Sequence, residues 1–263
     1  MLAEERRKSI LNLIQENGSA RTAELARKFN VSGQTIRRDL YELEVKGLVS
    51  KNHGGGVLVR WQGADYRERA ILRQQEKQLI AYEAVAQVRY GMTVALGPGT
   101  TTEAIAHLLN GMELRVITNS LAVAQAITSR DTTVYLTGGH YRPGSELVTG
   151  EWTEQNLKNL FADVSFVGIS GIGAEAGYTV TQFDEALVLR QFIRVAKKAV
   201  VVMDSSKFHR VAQASVAPLG AAHALITDAD APQEQLDILR QRGVEVIVAR
   251  ARSGTFAKGS DEQ

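Results

Sequence analysis

The 263-residue chain has no cysteine and only four prolines. Without cysteine there are no disulfide frameworks, no thiol nucleophiles and no thiolate metal sites, and a reducing, cytoplasmic setting is the expectation. No run of 18 apolar residues occurs, and the segment Met1 to Lys8 carries charge where a signal peptide needs an apolar core. Neither a membrane span nor secretion is therefore expected. Metal chemistry has little support, because His53, His107, His140, His209 and His223 show no paired spacing and no HExxH occurs. Internal repeats and low-complexity arrays are also missing. What is present is 44% apolar residues, enough to exclude global disorder and to build one large domain or two unequal ones.

The formal net charge of +2 hides an asymmetry. Residues 1–60 carry 11 Lys and Arg against 7 Asp and Glu, and the remainder carries 20 against 22. A basic module joined to a mildly acidic body is a common division between a polyanion-binding part and another part.

In the basic part, Ile10, Leu11 and Ile14 lie on one side of a helix over 3–17, which Asn17-Gly18 terminates. Thr22 is placed to cap a second helix ending at Asn30, and Ser32 to cap a third. Ile36, Leu40 and Leu43 stack on one face of that third helix, leaving Gln34, Arg38 and Tyr41 within about 40° of the opposite pole and Thr35 and Arg37 on its flanks. Residues 48–59 then read as strand, glycine turn, strand, with Lys51 and His53 in the hairpin. An isolated Arg pair is ordinarily a solvated helix face. Here spacing, capping, outward Gln, Thr and Arg, and a basic wing agree on a winged helix-turn-helix that reads the major groove of double-stranded DNA. Arg and Gln suit base edges, whereas Lys28 and Lys51 suit phosphates.

Residues 61–75 lack a clean apolar period in their first half and carry three arginines, so they read as a linker. From 76 to 250, apolar strands at 92–96, 115–118, 133–137, 164–168, 199–203, 224–227 and 244–249 alternate with amphipathic helices. This order predicts a mostly parallel α/β domain with ligands at the strand carboxyl ends. The polar segment 251–263 reads as a frayed tail.

Unusual residues collect at those strand ends. Gly97-Pro98-Gly99-Thr100-Thr101-Thr102 enters a helix, and glycines, free N–H groups and hydroxyls together suit a phosphate, although such a turn is also an ordinary helix entry. No Walker lysine follows, so nucleotide hydrolysis is not expected. Thr118-Asn119-Ser120, Thr137-Gly138-Gly139 and Gly168 to Gly171 follow other strands. Asp184-Glu185 and the segment Asp204 to Lys207 add carboxylates and a lysine able to bind a polyol or transfer its protons. Helix-start acids and a surface ion pair are the alternative readings of Asp184-Glu185 and Lys207.

Val31-Ser-Gly-Gln-Thr-Ile-Arg-Arg-Asp-Leu40 followed by His53-Gly-Gly resembles the signature of the DeoR family of bacterial transcriptional regulators. Gly99-Thr-Thr101, Thr118-Asn-Ser120, Gly138-Gly139 and Asp204-Ser-Ser-Lys-Phe208 resemble that family's effector domain, so the likeness covers about residues 3–249. The resemblance implies Ser32, Gln34, Thr35, Arg37 and Arg38 at DNA, with Asp39 holding the helix in place; Thr22, Lys51 and His53 are further candidates for DNA contact. It also implies an effector domain similar to ribose-5-phosphate isomerase and CoA-transferase folds. There a phosphorylated sugar or polyol would meet Gly97, Gly99, Thr100, Thr101, Thr102, Thr118, Asn119, Gly138, Gly139, Asp184, Glu185 and Lys207. Two departures stand out: Gly56 where members commonly have alanine, and Gly97 where many have aspartate.

Three functions follow. A metabolite-responsive regulator, a repressor acting as a dimer or tetramer, explains both halves without catalysis, cofactor or metal. A phosphosugar isomerase with an added basic module would use Asp184 or Glu185 as base and Lys207 as electrostatic partner. An architectural DNA binder leaves the ligand-like loops unexplained.

Overall fold

The apolar spacing of the first sixty residues is realised as three helices around a small core. A computed structural model describes residues 3–17, 19–45, 49–52, 55–58, 66–208 and 210–251. Its packing divides into two units, Met1–Ala64 and Asp65–Gln263.

In the first unit α1 (Ala3–Asn17) is followed by β1 (Ser19–Arg21), α2 (Thr22–Phe29), α3 (Gly33–Val45), β2 (Val49–Asn52) and β3 (Gly55–Leu58). Ile10, Ile14, Leu25, Ile36, Leu40 and Leu43 are buried together, so the i, i+4, i+7 stripe of α3 faces inward as its sequence requires. The wing strands pair antiparallel, with Val49 opposite Leu58 and Asn52 opposite Gly55. Asn30 takes a left-handed φ of 51° and closes α2, while the Ser32 hydroxyl accepts the Thr35 N–H at 3.1 Å and caps α3. Thr22 does not cap α2, contrary to the sequence reading. The preceding residue, Arg21, pairs with Gly55 in extended conformation and takes the N-cap position, leaving Thr22 one residue late.

The second unit begins with α4 (Tyr66–Ile71) and α5 (Gln74–Val85), then β4 (Thr93–Leu96), α6 (Thr100–Leu108), β5 (Leu114–Thr118), α7 (Leu121–Ala126) and β6 (Thr132–Leu136). A hairpin, β7 (His140–Arg142) and β8 (Leu147–Thr149), leads to α8 (Glu151–Lys158) and β9 (Ala162–Gly168). β10 (Gly171–Gly173), β11 (Gly177–Val180), α9 (Phe183–Arg194), β12 (Ala196–Val202) and β13 (Ala214–Ala217) follow. β14 (Ala224–Asp228), α10 (Gln233–Gln241) and β15 (Glu245–Ala249) complete the described chain.

Seven strands form one parallel sheet in the order β15-β14-β12-β9-β4-β5-β6. They are the seven expected from the apolar runs. Alternate residues feed opposite faces: Val94, Leu96, Phe166, Val200 and Val202 pack with α5, α6 and α7, whereas Ala95, Val167, Ala199 and Val201 pack with α8, α9 and α10. Each large side chain so buried contributes roughly 1.5–3 kcal/mol. Strands β10, β11 and β13 form a second, antiparallel sheet that the sequence reading did not include. None of the described helices is long and apolar enough to cross a membrane.

Part of the stretch read as a linker is structured. Residues 61–65 lie outside the described region, but α4 occupies 66–71 and α5 starts at 74. Between them Arg73 adopts a left-handed φ of 51°. Its guanidinium donates to Ser205 Oγ at 2.8 Å and lies 3.2 Å from Asp230, 3.3 Å from Glu76, 3.6 Å from Asp228 and 3.7 Å from Asp204. Arg73, Asp204 and Asp228 are almost wholly buried, so this junction anchors the α4–α5 turn to the carboxyl ends of β12 and β14. Removing one partner of a buried ion cluster leaves the others uncompensated. Arg73→Ala should therefore lower the stability of the second unit by about 3 kcal/mol, seen as an earlier urea midpoint, and an unchanged midpoint would contradict the anchoring role.

Candidate functional sites

On the first unit α3 presents Gln34, Arg37 and Arg38 as exposed side chains, with Thr35 half-buried and bonded to Ser32 Oγ at 2.9 Å. The same helix is fixed from behind. Asp39, 3% exposed, accepts from Arg6 Nε at 2.6 Å and from Arg6 Nη2 at 3.2 Å. That hydrogen bond is the main reason the Arg6 pKa is raised. This two-point contact ties α3 to α1 and leaves Arg7 beside a concavity of about 730 Å³ that Ser32, Gln34, Thr35 and Arg38 also line. Sequence reasoning had no place for Arg6 and Arg7; their only signal was a double arginine in the first turns of α1. The backbone of Lys51 lies in β2, but its side chain and all of His53 lie outside the described region. Thr22 starts α2 and is half-buried.

On the second unit the candidate loops line up along one edge of the sheet. Leu96 is level with Thr118 and Phe166, Thr118 with Leu136, and Val202 with Gly168. Chain order reverses between β4 and β9, and the carboxyl ends of strands at such a switch point are where ligands settle in open parallel sheets. From β12 to β5 the edge spans about 14 Å at ordinary strand spacing, the size of a small phosphorylated metabolite.

Helix α6 starts at this edge. Gly99 adopts φ 134°, a region that favours glycine, and lets the helix begin at Thr100 with the N–H groups of its first turn lacking intrahelical partners. Thr100 is half-buried and Thr101 is 8% exposed. The Thr102 hydroxyl instead donates to the Gly99 carbonyl at 2.8 Å, so it shapes the loop. Gly97 donates its N–H to Phe166 O at 2.9 Å, and a Cβ there would lie 3.3 Å from Leu189. An aspartate at this position would require Leu189 to yield.

Several other candidates are committed to holding loops. Asn119 is fully buried and its amide donates to Val148 O at 2.8 Å, while Thr118 Oγ1 accepts the Ser120 N–H at 3.1 Å. A Cβ on Gly139 would stand 2.1 Å from Thr153 Oγ1, so that glycine is required by packing; Gly138, at φ 70°, faces open space. Gly171 is likewise a packing glycine, against Arg210 O at 2.5 Å. Asp184 pairs with Arg142 of the β7–β8 hairpin at 2.6 Å. Glu185 is half-buried, and desolvation pushes its carboxyl pKa up.

Around Lys207, already a candidate, the structure adds Lys77, Arg69 and Arg210, which the sequence reading left out. Desolvation brings Lys207 down to about 7, Asp204 opposing the shift and Arg210, Arg69 and Lys77 reinforcing it. Lys77, also desolvated, falls to about 8. Asp204 stays depressed even though desolvation, the largest influence, acts to raise it; Lys207, the Ser206 hydrogen bond, Arg73 and Lys77 together outweigh that burial. Tyr66 donates to Glu103 Oε2 at 2.7 Å in the first turn of α6, and desolvation followed by this bond raises its pKa. Lys207, Lys77, Arg69 and Arg210 thus lie close enough to one another to feel each other's charge, and Tyr66 and Lys77 link the group to Glu103 in the first turn of α6. Among the described residues no group of three or more His, Cys, Asp or Glu could hold a metal ion.

Comparisons with known proteins agree with this two-part layout. Residues 6–61 match the DeoR-like helix-turn-helix domain, and residues 72–229 match the DeoR C terminal sensor domain. The chain is 32% identical over 245 residues to the glycerol-3-phosphate regulon repressor of Escherichia coli (strain K12), covering 92% of this chain and 97% of that protein. It is 33% identical over 225 residues to a lactose phosphotransferase system repressor of Staphylococcus epidermidis, covering 83% and 89%. A ribose 5-phosphate isomerase A from Methanocaldococcus jannaschii aligns with a TM-score of 0.38 and 17% identity over 51% of this chain and 54% of that one. With both family domains matched in order along its length, this chain belongs to the DeoR family of transcriptional regulators.

Proposed function

We propose that the chain is a repressor of a carbohydrate or polyol-phosphate operon, released from its operator by a phosphorylated sugar or polyol. The observation that carries this is the start of α6, with Thr100 and Thr101 at the switch point of the sheet and Lys207 among the charges around it. The phosphate takes the backbone N–H groups of residues 100–102 and the hydroxyls of Thr100 and Thr101. Lys207 supplies charge, Gly138 leaves room for the carbon skeleton, and Gly97, packed against Leu189, acts by holding the loop. Glu185 faces the ligand hydroxyls, whereas Thr102, Thr118, Asn119, Gly139 and Asp184 act by holding the loops. On the other unit, Gln34, Thr35, Arg37 and Arg38 read base edges, and Ser32, Lys51, His53 and the start of α2 at Thr22 address the backbone. Arg7 joins them as a further phosphate contact. A dimer or tetramer pairs the half-sites, because one small module supplies too little interface for specific affinity. Enzymatic turnover has no role in this reading: Asp184, one of the two bases an isomerase would use, is paired to Arg142. The cytoplasm is where such a regulator would work.

The two units should fail separately. Arg38→Ala should cost about 1–3 kcal/mol in operator binding while leaving effector binding intact. Thr101→Val should weaken the effector by roughly tenfold or more, the loss of one hydrogen bond to a charged group, with operator affinity kept. Operator fluorescence anisotropy with added phosphosugars measures both, and joint loss of both activities in each variant would sink the two-module reading.

A pH dependence follows from Lys207. With its pKa near 7 in the ligand-free protein, the amine is mostly neutral above that pH. A bound phosphate favours the ammonium form, so binding must take up a proton from pH 7 upward and affinity must fall as pH rises. Titration calorimetry at pH 8 in buffers of different ionisation enthalpy reads this uptake directly, and a buffer-independent enthalpy would contradict it.

A further inference from the structure

We propose that the second unit pairs with a second copy of this chain through the outer edge of β6, joining two parallel sheets into one across a two-fold axis at Val134. This rests on the reading of the chain as a dimer or tetramer and assigns the surface that makes it one.

β6 is the last strand of the large sheet, and among the described residues no strand pairs with its outer side. Thr137 donates its N–H to Thr118 O at 3.0 Å, so alternation turns the backbone N–H and C=O groups of Thr132, Val134 and Leu136 outward. Such an edge is ordinarily guarded by charge, proline or a bulge. β6 has none of these: its register with β5 is unbroken from Thr132 to Leu136, and no Asp, Glu, Lys, Arg or Pro occurs between Thr132 and Tyr141. The opposite edge strand, β15, starts instead at Glu245, which pairs with Lys198 at 3.1 Å.

The surface beside this edge is aromatic. Tyr135 stands opposite Ile117, which packs in one cluster with Leu157 of α8, so Tyr135 lies on the face of the sheet that carries α8 and α9. Tyr135 is 53% exposed, Tyr141 40%, and Trp152 and Phe183 73% each. The β7–β8 hairpin connects them. Tyr141 lies in β7, Thr153 beside Trp152 donates to Gly138 O at 2.7 Å, and Arg142 holds Gln182 and Asp184 on either side of Phe183. At 150–250 Å² for each aromatic side chain, the four expose on the order of 500 Å². A standard interface takes about 800 Å² from each partner, and the bare edge with Leu136 extends the patch toward that size. Arg142 is bonded to Asp184 and Glu146 to the Tyr141 hydroxyl, so the patch offers no excess of cations to a polyanion or a lipid surface.

The edge is complementary to itself. With the axis at Val134, antiparallel pairing sets Val134 against the partner's Val134, Thr132 against the partner's Leu136 and Thr133 against the partner's Tyr135. The first two are hydrogen-bonded positions, because those residues carry the outward backbone groups, and the third is a close β-branched and aromatic pair. No like charges meet. The same two-fold is the symmetry that paired operator half-sites require.

The test uses the intact protein without DNA, in sedimentation velocity over a concentration series. Tyr135→Lys should raise the dimer dissociation constant by about tenfold or more, and in a tetramer it should leave dimers. Adding Thr133→Glu should recover most of the loss, because the new opposite charges face each other across the axis. The chain has no cysteine, so Val134→Cys provides a single thiol. Cα atoms at a hydrogen-bonded pair are about 5.5 Å apart, within disulfide reach, so mild oxidation should link two subunits, whereas Val211→Cys, exposed elsewhere, should stay unlinked. Affinity for a single operator half-site should be unchanged in Tyr135→Lys while affinity for paired half-sites falls. Wild-type association in Tyr135→Lys would overturn the proposal, as would a loss that Thr133→Glu does not recover or a folded Val134→Cys that does not cross-link. A wild-type protein that is monomeric at every concentration would end the oligomeric reading itself and this inference with it. If Val134→Cys does not fold, the exposed Tyr135→Lys and its recovery decide.

Discussion

A buried carboxylate that must not be left alone organises the second unit. Asp204 is 2% exposed at the end of β12 and accepts from Ser206 N at 3.0 Å. The cost of burying an isolated carboxylate is several kcal/mol or more, and it is met by cations drawn from distant parts of the chain. Arg73 arrives from the α4–α5 turn, Lys77 from α5 and Lys207 from the segment just beyond the strand. Placing Arg73 there requires a left-handed residue between two helices. That in turn sets where α4 can run and brings Tyr66 to Glu103. The pocket and the entry of the chain into the unit are therefore one electrostatic structure.

The parallel sheet supplies what charge cannot, a rigid edge on which the loops stand in register. Its inner strands are buried on both faces, and the loops at the carboxyl ends divide into those that hold shape and those left able to bind. Thr102 and Gly139 belong to the first group, since their hydrogen bonds or packing close within the protein, and Asn119 joins them through its amide nitrogen although its Oδ1 has no hydrogen-bond partner. Thr101, Gly138 and the start of α6 belong to the second. A row of similar-looking glycines and threonines in a sequence thus mixes two roles. They separate only when it is known which carbonyl or side chain stands opposite each one, as Thr153 does for Gly139.

The same reasoning explains what was legible beforehand. Inner strands buried on both faces read as apolar runs, and the edge strands β6 and β15 keep short apolar stretches, so all seven strands of the large sheet were visible, as was the stripe of Ile36, Leu40 and Leu43 in α3. The short strands β10, β11 and β13 carry three or four residues each, two of the three in β10 being glycine, and offer no period to detect. Helix α4 escaped notice for a different reason. Its less exposed residues are Tyr66, Arg69 and Ala70, with Arg73 just beyond; Tyr66 and the two arginines make polar or charged contacts, so the apolar period that marks a helix is absent. The cap of α2 was misassigned by one residue because β1, only three residues long, claims Arg21.

A regulator needs more than two binding sites; it needs an element whose stability differs when one of them is filled, since a ligand that binds both states equally shifts neither. Helix α4 has the properties of such an element. It is six residues long, too short to persist on its own helical hydrogen bonds. Ile71 is 72% exposed, and what fixes the helix is polar: Tyr66 to Glu103, the Arg69 carbonyl to Lys77, and Arg73 to the aspartates. Apolar packing would hold it equally in any charge state. Polar contacts of this kind depend on the charge around them. The helix is thus held by bonds that a change of charge at the sheet's edge would alter, whereas the apolar sheet behind it would stay unchanged.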